Sequence, residues 1–277
     1  SKIVTSKVSD LSELFRNVNG VRHDITSWDI SNVTTLYYTF NNTIIGDDTD
    51  LTYWDTSNVT NMGFTFSESN FNQDISNWNV SNVTSMNSMF KGTPFNQPIG
   101  TWNVSNVTGM YGMFQNSVFN QDISNWNVSN VTSMSLMFWE SQFNRDIGSW
   151  NVSSVTEMRG MFSNSQFNQD ISDWDVSNVK EMGGMFSNSQ FNQDISNWNV
   201  GNVTNMESMF VGSVFNQNIG SWDVSNVINM MYMFERSVFN QDLSNWDVEY
   251  TSNCYRFSIG NTVWTLPKPN FTNCNPN

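Results

Sequence analysis

Tryptophan recurs at a fixed interval through most of this chain of 277 residues. The interval is 26 residues between Trp28 and Trp54, and it is 24 residues at every later step as far as Trp246. A constant period in this range is typical of a solenoid, in which each repeat buries its apolar face only against its neighbours. The pattern therefore predicts one array of about eleven stacked coils in place of separate globular domains.

The array divides the chain into three segments. Residues 28–249 carry the tandem repeats, and residues 1–27 fit the same frame with Ile3 in place of tryptophan, which predicts a degenerate N-terminal capping coil. The two extra residues of the second coil fall within residues 41–53, where we expect a bulged loop. Residues 250–277 depart from the repeat and are predicted to form a C-terminal cap.

The only two cysteines, Cys254 and Cys274, both lie in the C-terminal segment. A disulfide between them would close a loop of about 20 residues and stabilise the fold by about 3 kcal/mol. Such a bond would favour an oxidising compartment. The alternative is two unrelated thiols in a loosely ordered tail.

Two apolar periodicities coexist within one repeat. Trp126 and Val128 alternate as in a short strand. Four apolar residues then follow at the spacing of one helix face, with Ser129 placed to cap the first free amides of that helix. These four residues are Val131, Met134, Met137 and Phe138. Each coil is therefore predicted to contain a short strand and a short helix.

The residues that recur in every coil are interpreted as core. A buried tryptophan in each coil supplies the apolar area that the scarce leucines do not, and methionine at this spacing is more often gap-filling core than a soft metal ligand. The clearest members of the tryptophan column are Trp78, Trp102, Trp126 and Trp150.

The repeated string W-[ND]-V-S-N-V-T-x-M-x-x-M-F-x-x-S-x-F-N-Q-D-I-S-N resembles the repeat of BspA-like leucine-rich-repeat surface proteins, in the mycoplasma-type lipoprotein branch. The resemblance covers residues 3 to about 248, although no lipobox or sortase-type anchor is visible. It implies an extracellular or cell-surface protein with a role in adhesion. It also implies a right-handed leucine-rich-repeat-like solenoid, an α/β repeat of about eleven 24-residue coils that is capped at both ends.

Charge and composition exclude several functions. The net charge of −14 argues against a nucleic-acid partner, because phosphate binding relies on lysine and arginine. The chain contains no apolar run of the length, about 18 residues, that a membrane span requires. The single histidine, His23, stands where most coils have glutamine, and no serine, histidine and aspartate set recurs. We therefore predict that the protein is not an enzyme.

A column of aspartates stands four residues before the tryptophans, beginning at Asp24, with interruptions at Pro98 and Asn218. We interpret these residues as turn-forming, since aspartate commonly accepts a backbone amide two residues further on. The alternative is a ladder of calcium ions, which bind carboxylate and carbonyl oxygens. The calcium candidates are Asp122, Asp146, Asp170 and Asp194. No cofactor is expected otherwise.

Specificity in a repeat protein is expected where the copies differ. The variable positions lie seven, nine, ten, thirteen and fourteen residues after each tryptophan, and most hold serine, glycine, asparagine or glutamate. Large residues interrupt that pattern in the middle of the array, and aromatic residues with arginine are enriched in protein interfaces. The predicted partner-binding residues are Tyr111, Leu136, Trp139 and Arg159. The alternative is drift on a tolerant surface.

These observations favour a non-catalytic surface or secreted binding solenoid, an adhesin-like module for a macromolecular ligand that is a protein or a glycan. Two alternatives stay open. One is a carbohydrate-binding module that uses the asparagine and aspartate columns beside the tryptophans. The other is a structural spacer stiffened by calcium.

Overall fold

The computed structural model describes residues 5–21, 25–46 and 48–277. These residues form turns and extended segments, with no α-helix and no β-strand longer than an isolated bridge, and so no helix that could cross a membrane. Ten parallel bridges join one residue per coil in an unbroken series from Asp10 to Asn253. The chain is therefore a repeat solenoid of eleven coils, as the tryptophan period predicts. We number the coils so that coil 2 begins at Trp28, coil 3 at Trp54 and coil 11 at Trp246.

The short helix predicted in each coil is wrong. In coil 6 its place is taken by consecutive turns over residues 135–140, with left-handed backbone at Leu136 (φ 58°) and Glu140 (φ 54°). Left-handed residues interrupt an α-helix. Two of these amides close turns, such as Met137 N to Met134 O at 3.1 Å, and three donate to the next coil, such as Leu136 N to Arg159 O at 2.8 Å.

The short strand predicted at Trp126 and Val128 is also wrong. The parallel ladder lies further along the coil, where Ser133 bridges the equivalent residues of the coils on both sides. The segment at the tryptophan is curled into turns: Trp126 N donates to Ile123 O at 3.1 Å, and Ser129 N donates to Asn127 Oδ1 at 3.2 Å. Ser129 is therefore part of a side-chain turn and caps no helix.

The core consists of apolar columns that run from coil to coil. The tryptophans that begin coils 3 to 11 are only 3–4 % exposed. Two phenylalanine columns stack along the solenoid, as shown by ring-centre distances of 5.8 Å for Phe138 and Phe162 and 6.3 Å for Phe143 and Phe167. Stacked aromatic rings at this separation stabilise the fold beyond the contribution of the apolar area that they bury.

The tryptophans also connect the coils by hydrogen bonds. The indole Nε1 of Trp150 donates to Ile123 O, 27 residues earlier in the chain, at 3.1 Å, and every coil from coil 3 to coil 11 repeats this type of bond at 3.0–3.2 Å. A second ladder runs through corner asparagines, such as Asn130, whose Nδ2 donates to Ser105 O at 2.7 Å. A buried indole N–H needs a hydrogen-bond partner. Tryptophan therefore both fills the core of each coil and links the coils by hydrogen bonds.

The first coil is described from Thr5. Phe15 stacks on Phe40 of coil 2 with ring centres 5.3 Å apart, which joins coil 1 to the aromatic column. The predicted core residue Ile3 lies outside the described residues. The longer coil 2 carries an additional parallel bridge, from Val21 to Ile45, in the region of the predicted bulged loop.

The last coil continues beyond the predicted boundary at residue 249. Coil 10 still bonds to it through Arg236 N and Ile259 O at 3.0 Å. After this point Trp264 lies nearly perpendicular to Phe239, with ring centres 4.9 Å apart, and so ends the stacked column. Cys254 and Cys274 form a disulfide with a Cα–Cα distance of 5.8 Å.

Candidate binding site

The variable residues lie on one surface, which we call the turn face: the positions seven, nine, ten, thirteen and fourteen residues after each tryptophan. The tenth residue has a φ of 52–65° in all eleven coils. Glycine adopts this conformation readily, whereas a bulky residue there is strained. Glycine occupies the position in coils 5, 7 and 8, but Leu136 and Tyr232 occupy it in coils 6 and 10. Strain of about 1–2 kcal/mol per residue thus accompanies the display of large side chains.

Large side chains on the turn face form three clusters. The N-terminal cluster consists of Tyr37, Tyr38 and Phe64. The central cluster consists of Tyr111, Leu136, Trp139 and Arg159. The C-terminal cluster consists of Tyr232 and Tyr255. The structure therefore brings together all four residues predicted to bind a partner.

An arginine lies beside each cluster. Among the described residues, only the arginine of the central cluster forms no ion pair and no side-chain hydrogen bond. Arg16 pairs with Glu13 at 2.8 Å and lies over the ring of Tyr38. Arg256 pairs with Glu235 at 2.8 Å and lies over the ring of Tyr232. Among the described residues, Arg159 has neither an ion pair nor a hydrogen bond through its side chain. Its guanidinium therefore keeps its five donors for solvent or a partner.

Two adjoining depressions surround the central cluster. The first, which we call the bowl, encloses about 200 Å³ between a wall of Leu136, Trp139 and Arg159 and a far rim at Glu207. Its floor consists of small residues, namely Gly160, Ser163, Gly183, Gly184 and Ser187. A Cβ atom added at Gly184 would meet no atom within 4 Å. The bowl exists because coil 8 carries two consecutive glycines at positions where most coils carry side chains.

The second depression, which we call the groove, encloses about 560 Å³ and shares Leu136 and Arg159 with the bowl. Tyr111, which is 41 % exposed, lies at one end, and Glu157 and Glu181 lie at the other. Sequence reasoning identified the aromatic and arginine residues but missed these carboxylates and the glycine floor. The detectable signal was the Gly183–Gly184 pair, which no other coil has at these two positions.

The carboxylates of the site are held in place by neighbouring coils. Ser133 Oγ donates to Glu157 Oε2 at 3.1 Å, and Asn205 Nδ2 donates to Glu181 Oε2 at 3.0 Å. Glu207 accepts from Asn229 Nδ2 at 3.1 Å. Each bond uses one oxygen and leaves the other for a ligand. The lining of the two depressions thus carries three carboxylates and one guanidinium, so a cation is favoured electrostatically.

The aspartate column forms turns. Asp194 Oδ1 accepts from Ser196 N and Asp146 Oδ1 from Gly148 N, both at 2.9 Å, and Asn218 accepts in the same way from Gly220 N at 3.0 Å. The same hydrogen bonds, from the backbone and the side chain of the serine two residues on, lower the pKa values of three calcium candidates. These residues are Asp122, Asp170 and Asp194.

A metal site could be located only among the described residues, which exclude Asp24 and His23. In that part of the chain no group of three or more histidine, cysteine, aspartate or glutamate side chains is placed to hold a metal ion. Calcium binding therefore stays a prediction without an assigned site.

Comparison with known proteins identifies one family. The model of the family described as "Mycoplasma protein of unknown function, DUF285" matches residues 1–45, 45–142, 117–213 and 190–260. No curated protein matches the chain. Among solved structures, an internalin from Listeria monocytogenes is 15 % identical, with a TM-score of 0.42 over 88 % of this chain and 70 % of the internalin.

Proposed function

We propose that this chain, which belongs to the mycoplasma DUF285 family, is a non-catalytic binding solenoid that contacts a macromolecular partner through the central cluster. The family match extends over residues 1–260 and confirms the resemblance to a mycoplasma-type repeat. The recurring residues build the solenoid, and the irregular residues of the turn face carry recognition.

The observation that carries the proposal is that Arg159 lies beside Trp139 and Leu136 and forms no ion pair or side-chain hydrogen bond with the described residues. Tryptophan and arginine are the residue types that contribute most to protein interfaces. The arginines of the other two clusters are used within the molecule. Leu136 occupies a left-handed position that glycine occupies in both adjacent coils, so its side chain is displayed there at a cost in backbone strain.

A location outside the cell is part of the proposal. The net charge of −14 suits a soluble secreted or surface protein. The Cys254–Cys274 disulfide supports an oxidising compartment. An adhesin-like role follows if the partner belongs to another cell or to a host surface.

An array of extracellular proteins and glycans tests the proposal. We expect the wild-type chain to bind discrete spots, and Trp139→Ser or Arg159→Ser to weaken that binding at least about tenfold, because hot-spot residues of these types cost about 2 kcal/mol or more when truncated. The matched controls are Tyr53→Ser, whose tyrosine is 78 % exposed outside the turn face, and Arg145→Gln. Full binding by both central variants would contradict the proposal.

The glycan alternative places recognition on the asparagine and aspartate columns. Those side chains are already engaged: Asn130 donates to Ser105 O, and Asn127 accepts from Ser129 N. This engagement favours the turn face. Binding to polysaccharide spots that is unaffected by Trp139→Ser would support the glycan alternative instead.

A further inference from the structure

We propose that the partner is a protein segment that inserts one aromatic side chain into the bowl and places a lysine or arginine in the groove. This inference rests on the proposed function and specifies the chemistry of the partner. It follows from the size of the bowl, the charges of the groove and the distance between the two.

The size of the bowl fits a single side chain. Its volume of about 200 Å³ is below the range of about 300–1,000 Å³ that small-molecule pockets occupy. Trp139 forms one wall and offers an aromatic surface, against which a second aromatic ring packs favourably. The floor of Gly160, Gly183 and Gly184 lets the inserted ring approach the backbone. A buried aromatic anchor in such a pocket is the usual centre of a protein interface.

The charges of the groove select a cation. Its lining contains Glu157 and Glu181 against Arg159, which sums to −1, and the rim residue Glu207 brings the site to −2. A lysine or arginine would lie between the two glutamates at their end of the groove, where the opposite charges attract it. The net charge of −14 also speeds the approach of a basic partner. Arg159 is then left to pair with a carboxylate or carbonyl of the same segment.

One extended segment can reach both depressions. The groove is centred on coils 6 and 7 and the bowl on coils 7 and 8, and they share Leu136 and Arg159. Neighbouring parallel strands lie about 4.8 Å apart and an extended chain advances about 3.3 Å per residue, so one to two coils correspond to about two or three residues. The basic residue is therefore expected two or three positions from the aromatic one.

A random peptide library displayed on phage tests this inference, with wild-type protein as bait and Gly184→Leu for counter-selection. Leucine should be accepted at residue 184 (φ 65°), because Leu136 occupies the equivalent position with a φ of 58°. We expect a consensus with an aromatic residue two or three positions from lysine or arginine. A synthetic peptide of that consensus should bind at least about tenfold more tightly than its version with glutamate in place of the basic residue.

A second variant keeps the test valid if Gly184→Leu does not fold. Glu157→Gln with Glu181→Gln retains the oxygen that each neighbouring side chain bonds, and it should weaken the basic peptide at least about fivefold. An acidic consensus, or peptides that bind both variants as well as wild type, would overturn the inference. The proposed function would survive that result if array binding still depended on Trp139, and it would fail separately if array binding did not.

Discussion

The backbone conformation at two positions of each coil determines which side chains the turn face can carry without strain. Two left-handed positions recur in all eleven coils, at Leu136 and Glu140 in coil 6 and at the equivalent residues elsewhere. Glycine or asparagine, each of which tolerates this conformation, occupies the second position in eight coils, but glycine occupies the first position only in coils 5, 7 and 8. Coil 6 has leucine at the first position, where it forms a wall of both the bowl and the groove. A residue that costs stability and lines a depression is best explained by binding.

Replacing Leu136 with glycine should separate stability from binding. We expect Leu136→Gly to change the free energy of unfolding by less than about 1 kcal/mol, since relief of left-handed strain offsets the greater freedom of glycine in the unfolded chain. The adjacent control Met137→Ala should cost about 2–5 kcal/mol, because Met137 is fully buried. Urea denaturation followed by circular dichroism measures both. A loss of several kcal/mol in Leu136→Gly would show that the leucine is structural.

Removing one indole donor should destabilise the solenoid. Trp150→Phe deletes the bond from Nε1 to Ile123 O and leaves a small cavity in the core. We expect a loss of about 2 kcal/mol, of which about half comes from the hydrogen bond. Trp139→Phe is the matched control on the turn face and should cost less than about 0.5 kcal/mol. Equal losses in the two variants would mean that the indole bond contributes nothing.

At the scale of the coil, the repeat period and the core columns could be predicted from the sequence. The backbone conformation, consecutive turns in place of a helix, could not. Consecutive turns closed by bonds three residues apart place Val131, Met134 and Met137 at the spacing of a helix face. The bonds that exclude the helix join residues about 23 positions apart, such as Leu136 and Arg159. No local pattern within one coil contains that information.

The aspartate turns predict a defined response to acid. Their pKa values are lowered in the folded state from a usual 3.8, so the stabilisation is present above that value and is lost as the pH falls through the folded pKa values. The melting temperature should therefore fall as the pH is lowered from about 5 to about 3.

A triple variant provides the control for that response. Asp122→Asn, Asp170→Asn and Asp194→Asn together should keep the turns at neutral pH, as Asn218 does, and should reduce the acid response by the share of these three residues. An identical acid response in the variant would assign it to other groups.

At the scale of the whole molecule, the position of the site follows partly from the sequence. Tyr111, Leu136, Trp139 and Arg159 stand out from their columns, and stacking of successive coils brings such residues together. The bowl could not be predicted in the same way, because it is a space left by Gly183 and Gly184 and is visible only once the turn face is known to be exposed. The aspartate column is regular and chemically conspicuous, but its members are used in turns.

The ends of the array should be its least stable part. Reduction of Cys254–Cys274 opens a loop of 20 residues, and we expect a loss of about 3 kcal/mol that is confined to the C-terminal coil. Amide hydrogen exchange of residues 254–259 should accelerate after reduction, while coils 5 to 7 keep their protection. Unchanged exchange at the C-terminus would show that Trp264 alone holds the cap.

The central claim is that the irregular residues of the turn face bind a partner while the recurring residues only build the solenoid. Its most direct test replaces Leu136, Trp139 and Arg159 together by the residues of coil 8 at the same positions, as Leu136→Gly, Trp139→Ser and Arg159→Gly. Binding of this triple variant to the array spots recognised by wild type is the measurement. We predict that the variant folds with a melting temperature close to that of wild type and loses those spots. A folded variant that retains them would contradict the claim.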